Sequence, residues 1–177
     1  MRTHIRRSIA AAMPKATSVF IGGGTPTLVP ADELMSVLAE IPLAPGAEVT
    51  VECNPDDITL AMMQTFRDGG VNRVSIGVQS TVDRVLKSLG RTHNPENVSR
   101  SVSYVREAGF QTFNLDLIYG AAVETIDDWS RTISDVVALN PPHLSAYGLT
   151  VEANTVLATQ PDRHPDDDDQ ADKYLIC

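Results

Sequence analysis

The sequence RVSIGVQ, at residues 73–79, alternates branched apolar residues with small or polar ones. Two further stretches repeat this pattern, VTVEC at residues 49–53 and FNLDL at residues 113–117. Because successive side chains of a strand point to opposite faces, each stretch predicts a strand with one apolar and one polar face. The apolar faces are expected to lie under helices. The larger polar groups stand toward the carboxyl ends of their strands: Glu52, Gln79 and Asp116.

Helix-like segments alternate with strand-like segments along the chain, which indicates βαβ units and a parallel sheet. We predict strands at residues 19–21, 48–53, 73–79, 112–119 and 143–149. We predict helices at residues 3–13, 31–40, 59–69, 81–89, 95–108 and 125–139. No linker divides the chain, so we expect one α/β domain over residues 1–177. Its parts are an amino-terminal helix in 1–15, a core in 16–160, and in 161–177 an acidic loop with a helix starting near Gln170.

Two parallel architectures fit this order, a doubly wound sheet and a β/α barrel. Strands covered on both faces are expected as continuous apolar runs, whereas these strands alternate. A closed barrel fills its interior with branched apolar side chains, so the polar face favours an open or partial barrel that holds a ligand. Barrel enzymes place their chemistry at the carboxyl-terminal rim, where Glu52, Gln79 and Asp116 are expected to converge. The alternative is that each of these residues is a satisfied core group or a local cap.

A glycine-rich loop, GGGTPT at residues 22–27, follows the first predicted strand and precedes a helix. Its glycines allow positive φ angles and leave backbone N–H groups accessible to a polar or anionic ligand. The loop lacks the lysine of a P-loop and the spacing of GxGxxG. It predicts cofactor or phosphate binding, and the alternative is a tight turn packed against a helix. No cysteine or carboxylate stands near His93 or His143 at the spacing of metal ligands, so both histidines are interpreted as structural. Cys53 is interpreted as a buried thiol.

The composition excludes several classes of protein. The chain has 177 residues and a formal charge of -9, and this acidic balance argues against a nucleic-acid partner. No apolar run approaches the ~20 residues that span a bilayer, and a secretory signal is absent, so we expect a cytoplasmic location. The basic residues 1–15 allow a mitochondrial transit peptide, but an amphipathic surface helix is the simpler interpretation. Two cysteines are too few for a four-cysteine metal site.

Five motifs occur in a fixed order: GGGTPT at 22–27, VECNP at 51–55, SIGVQS at 75–80, LGRTH at 89–93 and NLDLIYG at 114–120. Together they closely resemble the HemW/HemN family of radical S-adenosylmethionine (SAM) proteins, which comprises heme chaperones and oxygen-independent coproporphyrinogen III oxidases. The resemblance covers about residues 16–160 and implies a partial (β/α)6 barrel with SAM inside. RTH at 91–93 and LSAYGLTVE at 144–152 are similar to the heme-chaperone branch.

The resemblance also implies a set of residues that contact SAM. Arg91 suits the methionyl carboxylate through a two-pronged ion pair, and an acidic residue such as Asp116 suits the ribose hydroxyls. Backbone N–H groups of the glycine loop and the Thr25 hydroxyl suit other polar atoms of the ligand. The implied SAM contacts are Gly23, Gly24, Thr25, Glu52, Gln79, Arg91 and Asp116.

The chain departs from the family pattern in its cysteines. The family's CxxxCxxC loop holds a [4Fe–4S] cluster and lies upstream of the GGGTP loop, and nothing in this sequence matches it. Cluster ligation needs three or four thiolates at one site, so we expect no radical chemistry from this chain. The resemblance therefore implies a chain truncated at both ends, with the first strand and the cluster loop missing. A second departure is AAVE at residues 121–124, where the family has a proline and a glycine.

Three functions stay open from the sequence. The first is a radical-SAM heme chaperone, which in its intact form would bind SAM and a cluster, carry heme and transfer it to a client protein; a degraded, inactive copy is a variant of this hypothesis. The second is the oxygen-independent oxidase, which decarboxylates a porphyrinogen propionate; the chaperone-like stretches count against it. The third is a β/α domain whose glycine loop binds a phosphorylated metabolite without iron or SAM.

Overall fold

The computed structural model describes residues 1–176, so Cys177, which the predicted domain includes, lies outside the described residues. Five parallel strands form one sheet in sequential order, and the sheet is a half-barrel. Each strand pairs with the next one along the chain. The strands are β1 (Ala16–Ile21), β2 (Leu43–Cys53), β3 (Arg73–Gln79), β4 (Thr112–Tyr119) and β5 (His143–Gly148). The predicted partial α/β barrel is confirmed.

Seven α-helices occur within the described residues, and helices α2 to α6 lie in the connections between successive strands. Threonines begin two of them, because the Thr59 Oγ1 accepts the Met62 N–H at 3.2 Å and Thr125 forms a capping box with Asp128. No helix in residues 1–176 has both the length and the apolar character needed to cross a bilayer. The helices are α1 (Arg2–Ala10), α2 (Ala31–Leu38), α3 (Leu60–Asp68), α4 (Asp83–Ser88), α5 (Glu96–Glu107), α6 (Ile126–Ala138) and α7 (Asp167–Tyr174).

The hydrophobic core lies between the convex face of the sheet and the helices. The apolar positions of the alternating strands are buried there, and Val51, Ile76 and Leu115 have no exposed surface. Burial of each such side chain contributes about 1.5–3 kcal/mol, so these positions fix which face of every strand turns to the helices. The polar positions consequently face the concave side of the half-barrel.

The acidic segment near the carboxyl end differs from the prediction of a loop followed by a helix near Gln170. Helix α7 begins three residues earlier, at Asp167. The cause is a cap, since the Asp166 Oδ1 accepts the Asp169 N–H at 2.9 Å. The aspartates of residues 167–169 therefore form the first turn of the helix, where negative charge is favourable to the helix dipole.

A buried lysine attaches helix α7 to the loop that follows β4. Lys173 has no exposed surface, and its Nζ donates to the Glu124 carbonyl oxygen at 2.7 Å. The same Nζ lies 3.5 Å from the Glu124 Oε2 and forms an ion pair with Asp169. The Trp129 indole N–H donates to the Lys173 carbonyl oxygen at 3.0 Å, and the Gly120 N–H donates to the Glu124 Oε2 at 2.7 Å. Burial raises the pKa of Glu124, while the Gly120 N–H and Lys173 favour its charged form.

Replacing Lys173 by Met is expected to destabilise the chain by roughly 3–5 kcal/mol, because the buried Glu124 carboxylate loses its cation. Urea unfolding measures this change. The matched control is Lys87→Met on the exposed side of α4, which is expected to change stability by less than about 0.5 kcal/mol. Equal stability of the two variants would contradict the role of the buried ion pair.

The loss of stability in Lys173→Met is also expected to depend on pH. A carboxyl group whose pKa is raised in the folded state contributes stability at low pH that is lost as the pH rises. Burial already raises the pKa of Glu124, and removing Lys173 removes a group that opposes this shift. The free energy of unfolding of the variant is therefore expected to be closer to that of the wild type at acidic pH than at neutral pH. A loss that grows on acidification would contradict this assignment.

Candidate functional site

A cavity of about 390 Å³ lies on the concave face of the half-barrel and extends to the carboxyl ends of the strands. This volume is within the range of sites for small ligands, about 300–1,000 Å³. Six of the seven residues predicted from the sequence line it: Gly24, Thr25, Glu52, Gln79, Arg91 and Asp116. The seventh, Gly23, contacts the same site indirectly, because its N–H donates to the Glu52 Oε2 at 3.1 Å.

The glycine loop brings the backbone close to the Glu52 carboxylate. Gly23 and Gly24 have φ angles of 83° and 61°, in the left-handed region that favours glycine. Gly22 leaves room for the ends of two side chains, Phe20 and Glu52. A Cβ at this position would lie 2.7 Å from the Glu52 Oε2, which is inside van der Waals contact. The backbone conformation therefore favours glycine at positions 23 and 24, and a Cβ at position 22 would displace the Glu52 carboxylate.

Two polar neighbours hold the Asp116 carboxylate. The Ser75 hydroxyl donates to the Asp116 Oδ2 at 2.5 Å, and the Asn114 amide donates to the Oδ1 at 2.7 Å. The Asn114 amide also donates to the Ser75 Oγ at 3.0 Å, so the three side chains form one connected network. Ser75 and Asn114 pair in register on adjacent strands. The network fixes both carboxylate oxygens while leaving lone pairs that a ligand hydroxyl can use.

Sequence reasoning placed Ser75 and Asn114 on the polar face but did not include them among the site residues. The structure adds both of them to the cavity lining, together with Arg73 and Ser145. The available signal was their position two residues before Gly77 and Asp116, on the same face of the same strands. That signal gives the shared face but not the hydrogen bonds between neighbouring strands.

The end of β3 positions the Gln79 amide. Gln79 is a non-glycine residue with a φ angle of 63°, and the pairing of β3 with β4 shifts register between Gly77 and Gln79. The amide then lies over Gly77, since a Cβ there would be 2.9 Å from the Gln79 Nε2. Gly77 therefore provides the space in which the Gln79 side chain enters the cavity.

The loop between α4 and α5 carries Arg91 and is anchored by His93. The His93 Nε2 donates to the Val78 carbonyl oxygen at 2.9 Å, and burial lowers the pKa of His93. The carbonyl acceptor requires a proton on Nε2 and the lowered pKa favours the neutral ring, which agrees with the interpretation of His93 as a structural residue. Arg91 is exposed at the edge of the cavity and forms no ion pair with another part of the chain that the structure describes. Its guanidinium is available to a ligand.

The cysteine geometry does not fit an iron–sulfur cluster. Cys53 is buried in the hydrophobic core, its Sγ lies 4.0 Å from the Val51 carbonyl oxygen, and burial raises the pKa of the thiol. A neutral thiol in an apolar core is a poor ligand, since the thiolate is the form that binds metal. Among residues 1–176, no three His, Cys, Asp or Glu side chains form a group that suits a metal ion. No step of radical chemistry follows from these residues.

Comparison with known proteins identifies the family. The model of the radical SAM superfamily matches residues 4–136. The chain is 40% identical over 155 residues to the heme chaperone HemW of Escherichia coli and 36% identical over 148 residues to that of Bacillus subtilis. These alignments cover 85% and 81% of the chain but 41% and 39% of the relatives. The chain belongs to the radical SAM superfamily, and its predicted resemblance to HemW-type heme chaperones is confirmed.

Solved structures show the same fold. Coproporphyrinogen III oxidase (HemN) from Escherichia coli is 28% identical with a TM-score of 0.85, and the match covers 98% of this chain and 42% of that one. Elp3 from the archaeon Methanocaldococcus infernus, at 16% identity and a TM-score of 0.71, shares the fold, and the match covers 98% of this chain and 47% of that one. The chain thus spans about two-fifths of the length of the heme chaperones and of the oxidase that it matches.

Replacing Gly22 by Ala is expected to displace the Glu52 carboxylate from the Gly23 N–H, because the new Cβ would overlap the Glu52 Oε2. The Gly23 amide proton should then move upfield and exchange faster with solvent, which NMR measures directly. The matched control is Gly148→Ala, where the nearest atom would lie 3.4 Å from the Cβ, an ordinary contact. An unchanged Gly23 amide signal in Gly22→Ala would show that Glu52 does not depend on this glycine.

Proposed function

We propose that this chain forms the SAM-binding part of a HemW-type heme chaperone. The observation that carries the proposal is the convergence of Glu52, Gln79 and Asp116, from three neighbouring strands, on one cavity beside the glycine loop. Such a site offers acceptors on one side and backbone N–H groups on the other. SAM has complementary groups, namely an ammonium, a carboxylate and two ribose hydroxyls.

Each residue of the site suits one part of SAM. The Asp116 carboxylate, held by Ser75 and Asn114, suits the ribose hydroxyls because its oxygens are oriented before the ligand arrives. Glu52, at the glycine loop, suits the ammonium group, and Arg91 suits the carboxylate through its planar fork of donors. Gln79 offers both an amide donor and an acceptor. Gly24 and Thr25 bring backbone and hydroxyl groups to the same cavity.

The heme-chaperone part of the proposal rests on the relatives. These relatives are heme chaperones, and the chain matches them at up to 40% identity. In the family, a [4Fe–4S] cluster supplies an electron to bound SAM, but the described cysteine does not fit that cluster. Binding of heme and its transfer to a client protein are therefore proposed for the whole protein. For this chain alone, the proposal is a SAM site.

The oxidase is the second candidate, because the fold is close to that of HemN at a TM-score of 0.85. The chain is 28% identical to HemN but 40% identical to the HemW relative from the same organism. This difference favours the chaperone. The third hypothesis, a phosphate-binding domain without SAM, has no support from the relatives, although the glycine loop alone allows it.

Calorimetry of SAM binding tests the first part of the proposal. Asp116→Ala and Gln79→Ala are each expected to weaken binding by roughly 10–100-fold, because a hydrogen bond to a charged group contributes about 1.5–3 kcal/mol. The matched control for Asp116→Ala is Asp83→Ala on α4, outside the cavity lining, which is expected to leave the affinity unchanged. Binding of phosphate esters without any binding of SAM would instead support the phosphate-binding domain.

Comparison of two tetrapyrroles tests the second part. The whole protein is expected to bind hemin with a shifted Soret absorbance band, and to bind coproporphyrin III at least tenfold more weakly. Absorbance and fluorescence titrations measure the two affinities under the same conditions. Tighter binding of coproporphyrin III would favour the oxidase. Absence of hemin binding by the whole protein would contradict its assignment as a heme chaperone.

A further inference from the structure

A second cavity, of about 280 Å³, lies at the carboxyl-terminal rim and shares no lining residue with the cavity that Asp116 lines. Four separate segments form its walls: the end of α4, the loop that follows β4, the residue after β5, and a short 3-10 helix at Leu157–Thr159. We call it the apolar cavity. Its apolar lining includes Leu89, Ala121, Ala122, Val123, Leu149 and Leu157.

Side-chain hydrogen bonds hold the two walls that follow β4 and β5. The Arg84 Nη1 donates to the Val123 carbonyl oxygen at 2.7 Å, and the Gln170 Nε2 donates to the Leu149 carbonyl oxygen at 2.9 Å. The Leu149 N–H also donates to the Tyr119 carbonyl oxygen at 2.8 Å, which fixes this wall to the end of β4. Both wall carbonyl groups thus have partners within the chain, so a ligand in the cavity need not supply donors for them.

The other two walls are held in the same way. The His164 Nε2 donates to the Leu157 carbonyl oxygen at 2.9 Å, because a carbonyl group only accepts. The Arg163 Nη2 donates to the Ser88 carbonyl oxygen, and its Nη1 donates to the Gln160 Oε1. Arg163 is therefore a fixed part of the wall. The cavity is formed before any ligand binds, as is usual for sites that bind small molecules.

The charges beside the apolar cavity favour a neutral ligand. Among the described residues that line the cavity, Arg163 alone is charged, and it disfavours a cation. Residues 161–172, the segment that carries Arg163, contain six aspartates, so an anion is repelled by the surroundings of this arginine. The remaining lining offers apolar contact, which suits a hydrocarbon group.

We propose that the apolar cavity binds an uncharged aromatic or aliphatic group of a small molecule. An apolar cavity of roughly 150 Å³ is large enough for benzene, so this one has room for a substituted ring. Binding would remove from water the Val156 side chain, which lines the cavity and is 74% exposed. Gly90 lines the apolar cavity and Arg91 lines the cavity of Asp116, so the two sites are neighbours. The inference rests on the four walls and does not depend on SAM binding.

Toluene is the probe that tests this site. The leucine and valine methyl groups of the full chain are isotopically labelled, and their NMR signals are followed during titration with toluene. The methyl signals of Val123, Leu149 and Leu157 are expected to shift in a saturable manner, because the ring current of the probe acts on methyl groups beside it. Leu28 and Val137 serve as internal controls, since both are exposed apolar residues outside the cavity lining.

One variant and one second probe make the test specific. Ala122→Leu is expected to weaken toluene binding at least tenfold, because the larger side chain occupies the cavity. Ala122 is exposed, and the matched control is Ala61→Leu at an exposed position of α3, which should leave toluene binding unchanged. Benzoate, which adds a negative charge to the same ring, is expected to bind the wild type at least tenfold more weakly than toluene does.

Three results would overturn the site. Shifts that are linear in toluene concentration, or equally large at Leu28 and Val137, would show that toluene contacts apolar surface without a specific site. Benzoate binding as tight as that of toluene would contradict a site for an uncharged group. Cavity methyl signals that change with protein concentration, and that do not respond to toluene, would show that a second copy of the chain fills the cavity.

Discussion

Burial of every second strand residue beneath the helices is the constraint on which the rest of the structure depends. Val51, Ile76 and Leu115 have no exposed surface, and each is flanked in sequence by residues of the opposite face. A shift of one residue in any strand would expose its apolar set and bury its polar set, at a cost of several kcal/mol. The positions of Glu52 and Asp116 in the cavity follow from that arrangement.

The polar residues of the cavity form a connected hydrogen-bond network. The Asp116 carboxylate accepts from Ser75 and Asn114, and Asn114 in turn contacts His143 at the start of β5. One amide therefore links the rim, where SAM is proposed, to the amino-terminal end of the neighbouring strand. Outside the cavity, the Lys173 ion pair attaches helix α7 to the loop that follows β4. The rim is thus supported from both the concave face and the carboxyl-terminal segment.

Local patterns were enough to predict the sheet, the glycine loop and the shared face of Glu52, Gln79 and Asp116, whereas Arg91 was predicted only from the family resemblance. The alternation at residues 73–79 and 112–119 gave β3 and β4 with the bounds that the structure shows, and the glycine loop lies beside the cavity as expected. These features depend on period-two spacing and on glycine chemistry, both of which are properties of neighbouring residues. The binding roles of the seven residues at the rim are still predictions, although the structure brings them together.

What the sequence did not predict depends on partners far apart in the chain. Lys173 and Glu124 are 49 residues apart, so nothing near the aspartates indicated a buried lysine or an earlier helix start. The contact between His143 and Asn114 joins two strands and depends on their register. The φ angle of Gln79 depends on the irregular pairing at the end of β3. Each of these features becomes visible only when the strands are placed side by side.

A crystal structure of the chain with SAM tests the central claim most directly. The account predicts electron density for SAM between the glycine loop and Asp116, with Glu52 and Gln79 turned toward it and Cys53 in the core behind them. Side chains of Glu52, Gln79 and Asp116 directed to different faces of the sheet, or SAM bound elsewhere, would contradict the account.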